Sequence, residues 1–112
     1  MVQIIQVQTA LPDEASARQF AQRLLDERLA ACVQIVGPIS SMYHWQGKLE
    51  SSAEWLCLAK TDMALFETIE DRLADWHPYE CPELIATPIV AANAAYVAWL
   101  QEAVDAARQE PR

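Results

Sequence analysis

Glycine is nearly missing from this chain: among 112 residues only Gly37 and Gly47 occur. Loops that cradle phosphate through closely approached backbone need several glycines, so nucleotide-binding loops of that kind are excluded. Basic residues are scarce as well. Eight Lys and Arg stand against sixteen Asp and Glu, a formal net charge of −8, and because the cations are scattered singly the average surface repels nucleic acid. No apolar run approaches the ~18 residues of a membrane span, and the first residues lack the basic segment, apolar stretch and small-residue cleavage site of an export signal. Cys32, Cys57 and Cys81 form no C-x-x-C pair. An odd, unpaired set of thiols suits a reducing compartment, so the expected location is cytoplasmic.

What remains is apolar. Hydrophobic residues make up 53% of the chain and include four Trp, ample for one core and rich for a small monomer. The whole chain, 1–112, reads as a single domain without repeats or linkers. A first strand is expected over Val2 to Thr9, then a turn at Leu11-Pro12-Asp13 with Asp13 as helix cap. Ala17, Phe20, Ala21, Leu24, Leu25 and Leu29 recur at helical steps. Cys32 to Trp45 is a long strand whose Gly37-Pro38 belongs at a sheet edge, since proline donates no ladder hydrogen bond. Gln46-Gly47 turns it into a third strand, Glu54 to Lys60. Thr61 or Asp62 caps a second helix carrying Leu65, Phe66, Ile69, Leu73 and Trp76, which stops before Pro78. A fourth strand, Glu83 to Val90, and a last helix with Tyr96, Trp99, Leu100, Ala103 and Val104 on one face complete the order. This βαββαβ order with an added C-terminal helix predicts an α+β ferredoxin-like sandwich with both main helices on one face of an antiparallel sheet.

In the third strand Trp55, Cys57 and Ala59 point one way, and Leu56, Leu58 and the stem of Lys60 the other. Both faces are apolar, yet two helices cover only one. The long strand around Val33, Ile35, Ile39 and Tyr43 also leaves unpaired backbone at an edge. Closed self-association answers both problems; the alternative is that the last helix covers the second face of its own subunit.

Six blocks now carry a resemblance: Glu27-Arg28-Leu29-Ala30-Ala31-Cys32-Val33-Gln34-Ile35, then Tyr43-x-Trp45-x-Gly47-Lys48-Leu49-Glu50, Lys60-Thr61, His77-Pro78-Tyr79, Pro82-Glu83-Leu84 and Tyr96-x-x-Trp99. In order and spacing, over roughly positions 3 to 101, the chain resembles the CutA family of divalent-cation tolerance proteins. That resemblance implies a homotrimer of ferredoxin-like subunits whose hairpins extend neighbouring sheets, kinship with PII signalling proteins, and copper binding. It implies no catalysed reaction. The resemblance also places a Cys near the end of the first strand and a His directly before His77 in copper-binding members, where this chain has Gln8 and Trp76.

Candidate ligands follow from residue chemistry. His77, at a helix end, offers an imidazole suited to Cu, Zn or Ni, or else caps the helix. Cys32 is either a soft ligand or a small core residue, and Cys81 lies one turn of loop from His77. The expected metal set is therefore His77, Cys32 and Cys81, for Cu(II) or another divalent cation that folding does not require. Lys60, Glu54, Tyr79, Glu80, Trp45, Tyr96 and Trp99 are expected to line a cleft between subunits, with Lys60 facing a Glu as a buried pair. His44 reads as solvated, and Cys57 as core. A Cys32-His77-Glu83 hydrolase lacks any nucleophile elbow or oxyanion motif, so no enzyme is expected. The expected partners are copies of the chain and a divalent ion, with no nucleic acid and no membrane insertion. A PII-like module that captures a protein or small molecule without metal is the alternative.

Overall fold

The computed structural model describes residues 3–109. Its elements are β1 (Ile4–Leu11), α1 (Glu14–Asp26), β2 (Cys32–Trp45), β3 (Lys48–Asp62), a 3-10 turn (Met63–Leu65), α2 (Phe66–Trp76), β4 (Ile85–Pro88) and α3 (Ala94–Gln109). The sheet order is β2-β3-β1-β4 with every neighbouring pair antiparallel, the ferredoxin-like arrangement.

Local chemistry explains where the elements stop. The Asp13 carboxylate accepts from Ser16 N–H at 2.7 Å, which satisfies one of the free donors at the start of α1 and holds that carboxyl below its ordinary pKa. At the other end Arg28 takes φ 53, and Leu29 N–H reaches back to Leu24 O at 2.8 Å, a left-handed stop usually given to glycine. Asp62, not Thr61, caps the next helical segment by accepting from Ala64 N–H. Between β2 and β3, Gln46 (φ 51) and Gly47 (φ 77) make a two-residue turn with Trp45 opposite Lys48. Positive φ at both positions matches the twist of the flanking strands.

Three expected boundaries change. The first strand runs on to Leu11, and Val2 lies outside the described residues. The third begins six residues before Glu54, at Lys48, because the tight turn zips the polar Glu50, Ser51 and Ser52 into the ladder despite their weak strand preference. The fourth has only Ile85–Pro88, since the Glu83 carbonyl is taken by the Thr9 hydroxyl at 2.6 Å instead of the ladder.

Alternation sorts the sheet into two faces. Ile5, Val7, Thr9 and Leu11 of β1 stand beside Thr61, Ala59, Cys57 and Trp55 of β3, and helices α1 and α2 close this face into the core with Phe20, Leu24, Ile69 and Leu73. Cys57 is sealed there, its thiol donating to Ala17 O and its pKa pushed up to about 11 by burial. On the second face Leu58 lies between Gln34 and Gln8, and Leu56 between Val36 and Ala10. Leu56 and Leu58 are half-buried and stand apart from the core cluster, while Val36 and Ile85 are exposed.

Helix α3 settles part of the alternative for that face. Its Leu100 and Val104 are fully buried within the subunit, Arg28 donates to Ala103 O at 2.9 Å, and Tyr96 lies close enough to Cys32 to be influenced by its thiol. The Leu56-Leu58 stretch nevertheless stays only half-buried.

β1 pairs with β3 only from Trp55 onward. Residues 48–54 and their β2 partners therefore project as a two-stranded arm, about 23 Å long at the usual rise, with Met42, Tyr43, Trp45 and Leu49 exposed. At the arm's base β2 shifts register between Val36 and Ile39, the bulge expected around Pro38 on an outer strand. Gly37 is required there by the Trp55 ring: an added Cβ would sit 2.5 Å from the indole Cδ2. Gly37→Ala is expected to lower stability by about 1–3 kcal/mol through this overlap, read from thermal unfolding; unchanged melting would show that Trp55 can move aside.

Candidate functional site

The residue before a proline is pushed into extended backbone. His77 accordingly leaves α2 at φ −100 and ψ 135, its own N–H still closing the last turn on Leu73 O. The departure swings the imidazole under β1, where Nε2 lies 2.8 Å from Ala10 O and Tyr79 N–H donates to Nδ1 at 3.2 Å. Because Nδ1 accepts, the ring proton sits on Nε2 and is donated to Ala10 O. The ring is 7% exposed, and its pKa is lowered chiefly by that burial, with the Ala10 bond and the Glu54 charge opposing. His77 is thus a neutral bracket tying the 77–79 turn to β1, and both of its metal-binding atoms are in use. The helix-cap expectation holds for its backbone and not for its ring.

Tyr79 lies tilted against His77, ring centroids 4.9 Å apart, and its hydroxyl donates to Glu54 Oε2 at 2.7 Å. Burial first, then the Glu54 hydrogen bond and charge, push the phenol pKa well above its ordinary value. Above this pair opens a groove of about 770 Å³ between the arm and the 78–83 loop. Tyr43 and Trp45 of the arm, Glu54 at its base, and Glu80, Cys81 and Glu83 of the loop line it.

The sequence-derived candidates therefore divide in two. Glu54, Tyr79, Glu80, Trp45 and Cys81 meet at this groove, with His77 beneath. Cys32, Lys60, Tyr96 and Trp99 gather at the opposite end: Cys32 is the cross-strand partner of Lys60, and the Tyr96 and Trp99 rings are 5.5 Å apart. The expected Lys60–Glu pair does not form with Glu54. The two side chains share a face but lie six residues apart, about 20 Å along β3, and Lys60 Nζ donates to Gln34 Oε1 instead. The same separation corrects the expected metal set, since Cys32 cannot share an ion with His77 and Cys81 inside one subunit, nor serve a Cys32-His77-Glu83 triad. Among the described residues no three His, Cys, Asp or Glu side chains are grouped to hold a metal. Gln8 donates to Glu83 at 2.9 Å, and Trp76 packs on Phe20 and under Arg23. Both positions thus serve packing and polar contacts.

The sequence profile of the family described as "CutA1 divalent ion tolerance protein" matches residues 5–103. The chain belongs to the CutA1 family. It is 44% identical over 92 residues to the divalent-cation tolerance protein CutA of Thermus thermophilus, covering 82% of this chain and 89% of that one. It is 36% identical to human protein CutA over 84% of this chain, spanning about half (52%) of the human protein. The crystal structure of CutA1 from Oryza sativa superposes with a TM-score of 0.88 at 36% identity, covering 91% of this chain and 94% of that one. CutA1 membership accounts for the shared backbone; the groove's lining is read from this chain's own residues. Tyr43 and Glu83 were not among the cleft residues expected from sequence. The signal for Tyr43 was available, because it falls two residues from Trp45 on one strand and so shares its face.

Proposed function

We propose that this CutA1-family chain serves divalent-cation tolerance as a closed homotrimer, assembled without metal, with its ligand groove at the cleft between subunits. The observation that carries the reading is the half-open second sheet face together with the projecting arm. A two-stranded ribbon is marginal in water alone, and a half-buried leucine pair beside exposed Val36 and Ile85 asks for a partner surface. A second copy has both an arm to give and a face to receive, which closes as a ring. Three unpaired cysteines support a reducing, cytoplasmic setting, and the separation of Cys32 from His77 supports binding and not catalysis.

For Cu(II) or another divalent cation the groove offers exposed Cys81 as a single donor and so weak binding, because no three candidate ligands are grouped among the described residues and His77 is held back by its two hydrogen bonds. Calorimetric titration with Cu(II) is expected to give weak saturable heat that Cys81→Ser reduces, while a chelator leaves the melting temperature unchanged. Undiminished binding by Cys81→Ser, or dissociation of the assembly by chelator, would contradict this placement.

A further inference from the structure

Glu54 is 8% exposed, yet the partner of its carboxylate is a neutral phenol, Tyr79. Buried carboxylates are ordinarily matched by a cation. Among the described residues the side-chain ion pairs are Arg18 with Glu14 and Arg72 with Glu27, and Glu54 enters none. The groove it faces holds no Lys or Arg, and adds Glu80 and Glu83. The Tyr43, Trp45 and Tyr79 rings share the rest of the lining with polar Ser41, His44 and Cys81. By strand alternation and register Tyr43 stands on the same side of the arm as Glu54, 42% exposed, with its hydroxyl 3.1 Å from Ser52 Oγ and close enough to influence Tyr79, whereas Trp45, opposite Lys48, lies about 20 Å from Glu54 along the arm.

Negative charge at the base and π-faces on the wall select a particular guest. A hard divalent metal asks for several oxygens converging at about 2–2.6 Å, which is not the geometry here. An ammonium on a short alkyl chain matches each part: its charge for Glu54 and its polarised methylenes for the Tyr43 ring, in a groove of about 770 Å³ that leaves room for the rest of a larger amine. We propose that the groove binds an organic ammonium group, seated on Glu54 and roofed by Tyr43. The proposal rests on the groove as the ligand site described above and names the ligand's chemistry. A free amine and the side chain of a lysine share that chemistry.

The test is calorimetry on the full chain with n-butylammonium, with n-butanol as its uncharged counterpart. The intact protein is expected to bind butylammonium saturably and butanol not at all. Glu54→Gln still accepts the Tyr79 hydroxyl and keeps the fold, and is expected to weaken binding about ten-fold or more. Tyr43→Ala, on the exposed face of the arm, is expected to weaken it about five-fold. Nα-acetyl-lysine methylamide separates the sources: binding equal to butylammonium assigns the site to a lysine side chain, and its exclusion assigns it to a free amine. Equal binding of butanol and butylammonium, or full affinity in both variants, overturns the proposal. Sedimentation of the same samples shows whether the assembly is intact, so a failure of the trimer reading is seen separately from a failure of ammonium binding.

Discussion

Leu58→Asp is expected to convert the assembly into single chains, a three-fold fall in mass from three times the 12.6 kDa subunit. Leu58 sits mid-face between Gln34 and Gln8, on the side of the sheet away from the core, where no helix of its own subunit seals it. In an isolated chain an Asp at this half-buried strand position would cost about 1–2 kcal/mol in lost apolar burial and strand preference. Against a neighbouring subunit the same carboxylate loses its water with no cation opposite, at a cost of several kcal/mol per ion. A symmetric ring repeats that cost at every subunit. Light scattering on the variant distinguishes the two cases, because an unchanged mass would mean that the second face is solvent-facing.

The second large effect is expected at His77, and in stability before binding. His77→Ala strips partners from Ala10 O and Tyr79 N–H and empties the space beneath Tyr79, a loss of about 2–4 kcal/mol. The fall in melting temperature is on the order of 10 °C. His77→Gln, able to donate and accept, is expected to recover part of it. Protonation probes the same bracket. The folded pKa lies below the ordinary 6.5, so the unfolded chain takes up the proton first as pH falls. The His77 contribution is therefore complete above about pH 6.5 and declines from there toward the lower folded pKa. Wild-type melting is expected to decline from pH 7 to pH 5 more steeply than that of His77→Gln. Parallel curves, or a melting temperature for His77→Ala equal to wild type, would show that the ring is not a structural bracket.

Much of the fold was legible because local chemistry and global pattern agree. The Asp13 cap, the Gln46-Gly47 turn, the Pro38 bulge on an outer strand and the stop before Pro78 each depend on one or two residues, and each stands where that chemistry put it. The arm was underestimated because Glu50, Ser51 and Ser52 carry no strand signature of their own; the turn and the facing strand impose it. The site was less legible for a different reason. Period two shows that Lys60 and Glu54 share a face and is silent about the six residues between them, so they read as a pair where the register separates them. Cys32 and His77 were likewise joined by chemistry alone, whereas β2 anchors one beside Lys60 and β1 holds the other at Ala10. Residues that share a face were readable; the end of the sheet each occupies required the register.

The partly covered leucine face and the arm that outruns the sheet both lead to one quantity, the mass in solution. Sedimentation equilibrium of the wild-type chain at micromolar concentration in chelator is expected to return three subunits across the concentration range. A stable single-chain mass under those conditions would contradict the account and remove the cleft between subunits on which the site depends.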